Sequence, residues 1–124
     1  MAAPNIVKAY PTILGKSAPL ALTTSAQAIV NNPASSGKLL RVSALYIANV
    51  DGVNAAAVTV NLYPQDDIGG SPVALASTIT VPANSTLVLV DAESRINLEE
   101  DRSLGALASA NGDLVAIASY EDVS

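Results

Sequence analysis

The sequence predicts an all-β chain: a single antiparallel β-sandwich, jelly-roll-like, of about eight strands, with an extended N-terminal arm. Three observations lead there. Short runs alternate apolar and polar residues at period two. Clusters of Asn, Asp, Gly, Pro and Ser divide these runs about every 8–12 residues. No segment carries the 3.6-residue apolar stripe of a helix. The 124 residues are the size of one domain.

Residues 1–19 read as the arm, with room in it for a short strand, and residues 20–124 as the sandwich. Pro4, Pro11 and Pro19 block a helix in the first segment and favour extended backbone. Between them lie Ile6, Val7, Tyr10, Ile13 and Leu14, an apolar content that a solvated linker does not need. The arm therefore reads as a docking element. Ile6, Tyr10, Ile13 and Leu14 are its candidate anchors, with Lys8 and Lys16 steering it toward acidic surface.

The sandwich elements follow in order. "LALTTSAQAIV" (20–30) reads as one strand or two short ones, and "NNPASSG" (31–37) as a turn. "KLLRVSALYIANV" (38–50) reads as a long strand whose even positions, Leu40 to Val50, face the core; Leu45 and Ile47 break the polar character of its odd face. After "DGVN", "AAAVTVNLYP" (55–64) places Val58, Val60 and Leu62 inward. "QDDIGGSP" is a polar loop, "VALASTITV" a strand ending at Pro82, and "TLVLV" (86–90) a strand apolar on both faces. "RINL" directs Ile96 and Leu98 inward, and "EEDRS" is an acidic turn.

Asn111-Gly112, between "LGALASA" and "LVAIASYE", is the strongest hairpin signal in the chain. A two-residue turn there pairs Ala110 with Asp113 and opposes Ala108 to Val115 and Ala106 to Ile117. Both faces of this hairpin are apolar. One faces the opposite sheet; the other needs the chain's own arm or loops, or another subunit.

Composition narrows the chemistry. Half of the residues are hydrophobic and 14% are charged. There are 22 Ala, 13 Val and 13 Ser, no Phe, Trp, His or Cys, and Tyr10, Tyr46, Tyr63 and Tyr120 are the aromatics. Disulfides, thiolate nucleophiles and the usual His-containing triads are excluded. The opening "MAAPNIVKAYP" lacks the apolar core of a secretory signal, and no apolar run reaches the ~18 residues of a membrane helix. Net charge is −5, unevenly spread: the first fifty residues hold Lys8, Lys16, Lys38 and Arg41 and no acid, whereas all eleven acids lie after them. This division suggests a basic N-terminal segment lying on acidic surface, its own or a neighbour's.

The motifs that resemble sites are weak. Gly15-Lys16-Ser17 matches the end of a P-loop, but Tyr10 stands where its first Gly belongs and Ala18-Pro19 oppose the required helix. Asp66-Asp67 and Glu99-Glu100-Asp101 read as solvated turns rather than catalytic pairs. Asp51–Asn54 and the 99–101 cluster offer oxygen ligands without the EF-hand pattern. Asn84-Ser85-Thr86 fits a glycosylation sequon but reads as a turn. The acidic balance and the lack of a basic, aromatic-studded stripe argue against nucleic acid. No catalytic, metal or cofactor residue is assigned, and no cofactor is expected.

"LLRVSALYIANVDGVNAAAVTVNLY" and "TITVPANSTLVLVDAESRINLEEDRSLGALASANGDLVAIASYEDVS" resemble small virion structural proteins of tailed bacteriophages, notably those of cyanobacteria and other aquatic bacteria. The likeness covers roughly residues 38–124, through the "YIANVDG" turn, the "VPANSTLVLV" strand, the "INLEEDRSL" turn and the closing "SANGDLVAIASYE". It implies a non-enzymatic sandwich module located in the virion and assembled in the host cytoplasm. The first expectation is a head decoration (cement) protein binding the major capsid protein. A neck, tail or fibre component, or a host-surface glycan-binding module, is the alternative. The virion context also implies a homo-oligomer, with a trimer the form expected, while the composition leads to the expectation of neither nucleic acid nor membrane as partner.

Overall fold

The computed structural model describes residues 12–124. Nine strands follow in chain order: β1 Ile13–Ala21, β2 Gln27–Asn32, β3 Leu39–Asn49, β4 Ala56–Tyr63, β5 Val73–Val81, β6 Thr86–Val90, β7 Ile96–Leu98, β8 Arg102–Ala108 and β9 Leu114–Val123. One sheet runs β1-β9-β3-β6, with β7 also on β3; the other runs β2-β8-β4-β5. All the pairings are antiparallel. β1, β3 and β6 lie in one sheet and β2, β4 and β5 in the other, the β7 segment continues the edge begun by β6, and β8 and β9 fill the central positions. This is the double-sheet order of a jelly roll. The expected β-sandwich is therefore the architecture found.

The core is built without large aromatic anchors. Leu22, Val42, Leu45, Ile47, Val58, Val60, Leu98, Leu104 and Leu114 are fully buried between the sheets, together with Ala106, Ala116 and Ala118. Two buried asparagines tie strand ends to loops, because a buried amide must find partners. Asn32 Nδ2 donates to the carbonyls of Lys38 (3.0 Å) and Leu98 (2.9 Å), joining β2 to β7. Asn49 Nδ2 donates to the carbonyls of Asn54 (3.0 Å) and Val81 (2.9 Å), joining the end of β3 to β5.

Three readings of the sequence are corrected. The first concerns β3. Its pairing with β9 shifts register between Val42 and Ala44, so Ser43 is an extra residue. A bulge reverses the alternation beyond it. Leu40 and Val42 are buried as expected, but then Leu45, Ile47 and Asn49 are buried, while Tyr46 is 38% and Val50 61% exposed. The two "misplaced" apolar residues on the odd face were the core residues.

The second correction concerns Asn111-Gly112. The chain does turn there, with Gly112 at φ 82°. The flanking strands, however, lie in different sheets: β8 between β2 and β4, β9 between β1 and β3. Residues 109–113 cross the ~10 Å between layers, and no hairpin register forms. An Asn-Gly pair encodes chain reversal; which strands then pair depends on where each finds two neighbours.

The third moves the boundary of the arm. β1 spans Ile13–Ala21, so residues 13–19 belong to the sheet and the strand crosses the expected 19/20 limit. The 20–30 run resolves into the end of β1 and the separate β2, which brings the described strands to nine.

Gly105 of β8 sits where loop 64–72 and β4 press closely on the sheet. A Cβ there would meet Ile68 Cγ2 at 2.8 Å, the Gln27 carbonyl oxygen at 2.9 Å and Tyr63 Cε1 at 2.9 Å. Gly105→Ala should cost about 1–3 kcal/mol by overpacking, read as a lowered urea midpoint. Gly15→Ala, in β1 with nothing within 4 Å, should change stability by less than about 0.5 kcal/mol.

Candidate functional site

The sequence points to residues 6–16 as an interface, and the structure places three of the six candidates. Ile6, Lys8 and Tyr10 lie outside the described residues. Ile13 and Leu14 open β1, an edge strand, and are 56% and 49% exposed. Just before them, Thr12 and Ser124 exchange backbone hydrogen bonds of 2.8 and 2.9 Å, which fastens the start of β1 to the end of β9.

Lys16 turns to its own chain. Its Nζ donates to Asp122 Oδ2 at 2.9 Å, and Lys38 Nζ donates to the same oxygen at 3.1 Å. The Asp122 side chain is 4% exposed, while both lysine side chains remain about two-fifths exposed. Burial alone would raise the Asp122 carboxyl, but the two lysine hydrogen bonds and charges outweigh it and hold the group below its ordinary value. The same hydrogen bond, then the charge of Asp122, raise Lys16. Arg41 of β3 lies 4.0 Å from Glu121. Three of the four N-terminal cations are thus set against the C-terminal acids of the same chain, and the charge division is largely an intramolecular device.

The outer faces of the two sheets differ. Over the β2 sheet, the loop 64–72 folds back across Tyr63, Ser103 and Gly105. Ile68 N donates to Ser103 Oγ (2.9 Å), Ser103 Oγ donates to the Gln65 carbonyl (2.8 Å), and Asp67 N donates to Asn31 Oδ1 (2.7 Å). The loop bends sharply, with Asp67 and Ile68 at φ 51° and Gly70 at 81°. Over the β1 sheet there is no corresponding loop among the described residues. The pairing registers there align Pro19, Ile117, Tyr46 and Val88 in one row across four strands. Ile117 is 39%, Tyr46 38% and Val88 53% exposed. A parallel row holds Ala21, Val115, Ala48 and Thr86.

The acidic motifs act locally. Asp51 Oδ1 accepts from the amides of Val53 (2.7 Å) and Asn54 (3.1 Å), which close the "DGVN" turn and lower its carboxyl. In the 99–101 cluster each acid goes its own way: Glu99 to Arg102 (3.4 Å), Glu100 to Gly37 N (3.1 Å) and Asp101 to Asp66 N (3.0 Å). Among the described residues no group of three or more acids is arranged to hold a metal. Asn84 occupies a turn at φ 58°, as its sequence suggests. These acids are loop fasteners, a role stronger than the solvated turns expected of them.

No family model matches the chain, and no curated protein does. Among solved structures it is similar to a chain of Bacillus endospore appendages, described as a novel family of disulfide-linked pili. The TM-score is 0.49 and the identity 14%, over 93% of this chain and 89% of the other.

The row Pro19–Ile117–Tyr46–Val88 and the acceptor Asp122 were absent from the sequence reading. The signal for the row was the pair Leu45 and Ile47 on a face that should have been polar. Asp122 gave no signal, since an acid near a C-terminus reads as solvated.

The paired charges give a pH-dependent expectation. The native Asp122 carboxyl titrates below the unfolded value of about 3.9. Its contribution is therefore complete above that value and is lost as pH falls through the lower native one. Replacing both Lys16 and Lys38 with Met should lower the urea midpoint at pH 7, because the buried carboxylate then loses both of its cations. Each single replacement should lower it less than half as much, since one cation still serves the carboxylate. Urea midpoints should show the gap to the parent closing on acidification.

Proposed function

We propose that this chain is a non-enzymatic structural protein of a tailed-phage virion, and first a head decoration protein that holds major capsid subunits together. One observation carries the reading: a transverse apolar row on the β1 sheet, uncovered among the described residues, in a molecule whose other sheet is capped by its own loop. Such an exposed patch on a small domain marks a contact surface. Tyr46 at its centre has the combination of apolar ring and polar tip that interfaces favour. Many copies on a symmetric shell convert modest single contacts into firm attachment. The sequence likeness over residues 38–124 supplies the virion context, and the same surface suits a neck, tail or fibre position equally. A trimer around a ring axis fits that context.

A glycan-binding role is the competing reading. It needs an exposed aromatic platform, and of the three tyrosines in the described residues Tyr46 alone is exposed; Tyr63 is buried and Tyr120 packs against the core. One ring is a narrow platform.

Heads assembled without the chain provide the test. The purified protein should bind them saturably, and Ile117→Glu, at an exposed position, should weaken binding by roughly 30-fold or more while leaving the fold intact, as expected for a central interface residue. Binding to tails but not heads would favour the alternative position. Unchanged binding by Ile117→Glu would remove this face from the interface, and glycan binding abolished by Tyr46→Ser would favour the competing role.

A further inference from the structure

β5 and β6 are the outer strands of their sheets and lie on the same side of the sandwich, joined by the Pro82–Ser85 turn. On that side the two layers do not close. A cavity of about 220 Å³ opens between them, lined by Leu75, Leu89, Val90, Ser94 and Ile96. Leu89 and Ile96 pack against the core on one side and border this space on the other. The volume exceeds the roughly 150 Å³ of an apolar cavity that accepts benzene.

The strand beside the cavity is open to pairing. β5 has no charged residue and no proline from Val73 to Val81, two of the devices that usually protect a sheet edge. Val73 is 69%, Leu75 43% and Ile79 38% exposed. Its pairing with β4 shifts register twice, once opposite Thr59, where Thr78 adopts φ 49°, and once at Leu75, between the Val60–Ala76 and Asn61–Ala74 pairs. The second bulge sits at the opening, and Leu75 lines it. What such a place accepts is an extended segment that lies along β5 and inserts an apolar side chain.

We propose that this slot receives residues 5–10 of a second copy of this chain. "NIVKAY" is a six-residue run without proline, bracketed by Pro4 and Pro11. In extended form Ile6, Lys8 and Tyr10 share one side and Val7 and Ala9 the other, so either side offers an apolar group. Lys8 is the single charge before residue 16. Beside the slot, Asp91 and Glu93 are exposed in the loop after β6, two acids to the one cation Arg95 of the same loop. Topology selects a neighbour's segment. β1, which continues residues 1–11, is at one edge of its sheet, and β6 with the slot is at the other. Two copies therefore meet edge to edge, head to tail, and repetition of that contact either closes a ring or extends a row. The inference deepens the homo-oligomer reading above but does not depend on head binding.

Complementation between two full-length variants tests it. Ile6→Asp impairs the inserted segment and Leu75→Arg blocks the slot; Leu75 is exposed enough for the fold to survive, which circular dichroism checks. In sedimentation velocity the parent chain should form oligomers as concentration rises, each variant alone should remain monomeric, and an equimolar mixture should form a 1:1 pair that does not grow. A parent that stays monomeric throughout, a Leu75→Arg chain that still self-associates, or a mixture that fails to pair would each overturn the proposal. Heads bound normally by both monomeric variants would leave the structural reading standing apart from the slot. Self-association with no binding to heads, tails or any other particle component would uphold the slot and reject the virion reading.

Discussion

The extra residue at Ser43 determines which side of β3 faces the core. β3 is central to its sheet, paired with β9 on one side and with β6 and β7 on the other. A strand in that position cannot hide a wrong parity, because side chains alternate at period two. With the bulge, Leu40 and Val42 and then Leu45, Ile47 and Asn49 all point inward. The same reversal places Tyr46 outside, between Ile117 and Val88. The interior of the sandwich and the candidate contact surface are therefore two consequences of one inserted residue.

Against that frame the charges are arranged for closure more than for reach. Lys16 and Lys38 converge on Asp122, which ties the edge strand β1 and the start of β3 to the last strand. Glu100 and Asp101 accept backbone amides from loops 63 and 35 residues away in sequence. A chain with few large side chains has less apolar area to bury per residue. Charge-assisted hydrogen bonds, roughly twice as strong as neutral ones, give this small-residue sandwich fixed loops. One of those fixed loops covers Tyr63, Ser103 and Gly105 on the β2 sheet, and the asymmetry between the two outer faces of the described residues follows from it.

Much of the fold was legible. Val58 and Val60 inward, β5 ending at Pro82, and Ile96 and Leu98 inward all follow from period-two alternation read residue by residue. What escaped were features with no local signature. A bulge has no required residue type, so the Ser43 insertion showed only as a conflict between Leu45, Ile47 and the expected polar face. Asn111-Gly112 encoded a turn correctly, but the choice of partners for β8 and β9 is a property of both sheets. The boundary of the arm was misplaced because Pro19 suggested an end, whereas an edge strand tolerates proline. Ile13 and Leu14 read as anchors of the arm and stand exposed at the start of β1; Lys16 reads as steering the arm to acidic surface, and its acidic partner is Asp122 of the same chain.

The proposal turns on one face: the outer side of the β1 sheet, uncovered among the described residues, is proposed to be covered by another virion chain. A density map of the assembled particle tests this most directly. The account predicts that the chain is found on the particle with Ile117, Tyr46 and Val88 buried beneath a neighbouring subunit. A map showing that row open to solvent, or a particle without this chain, would contradict it.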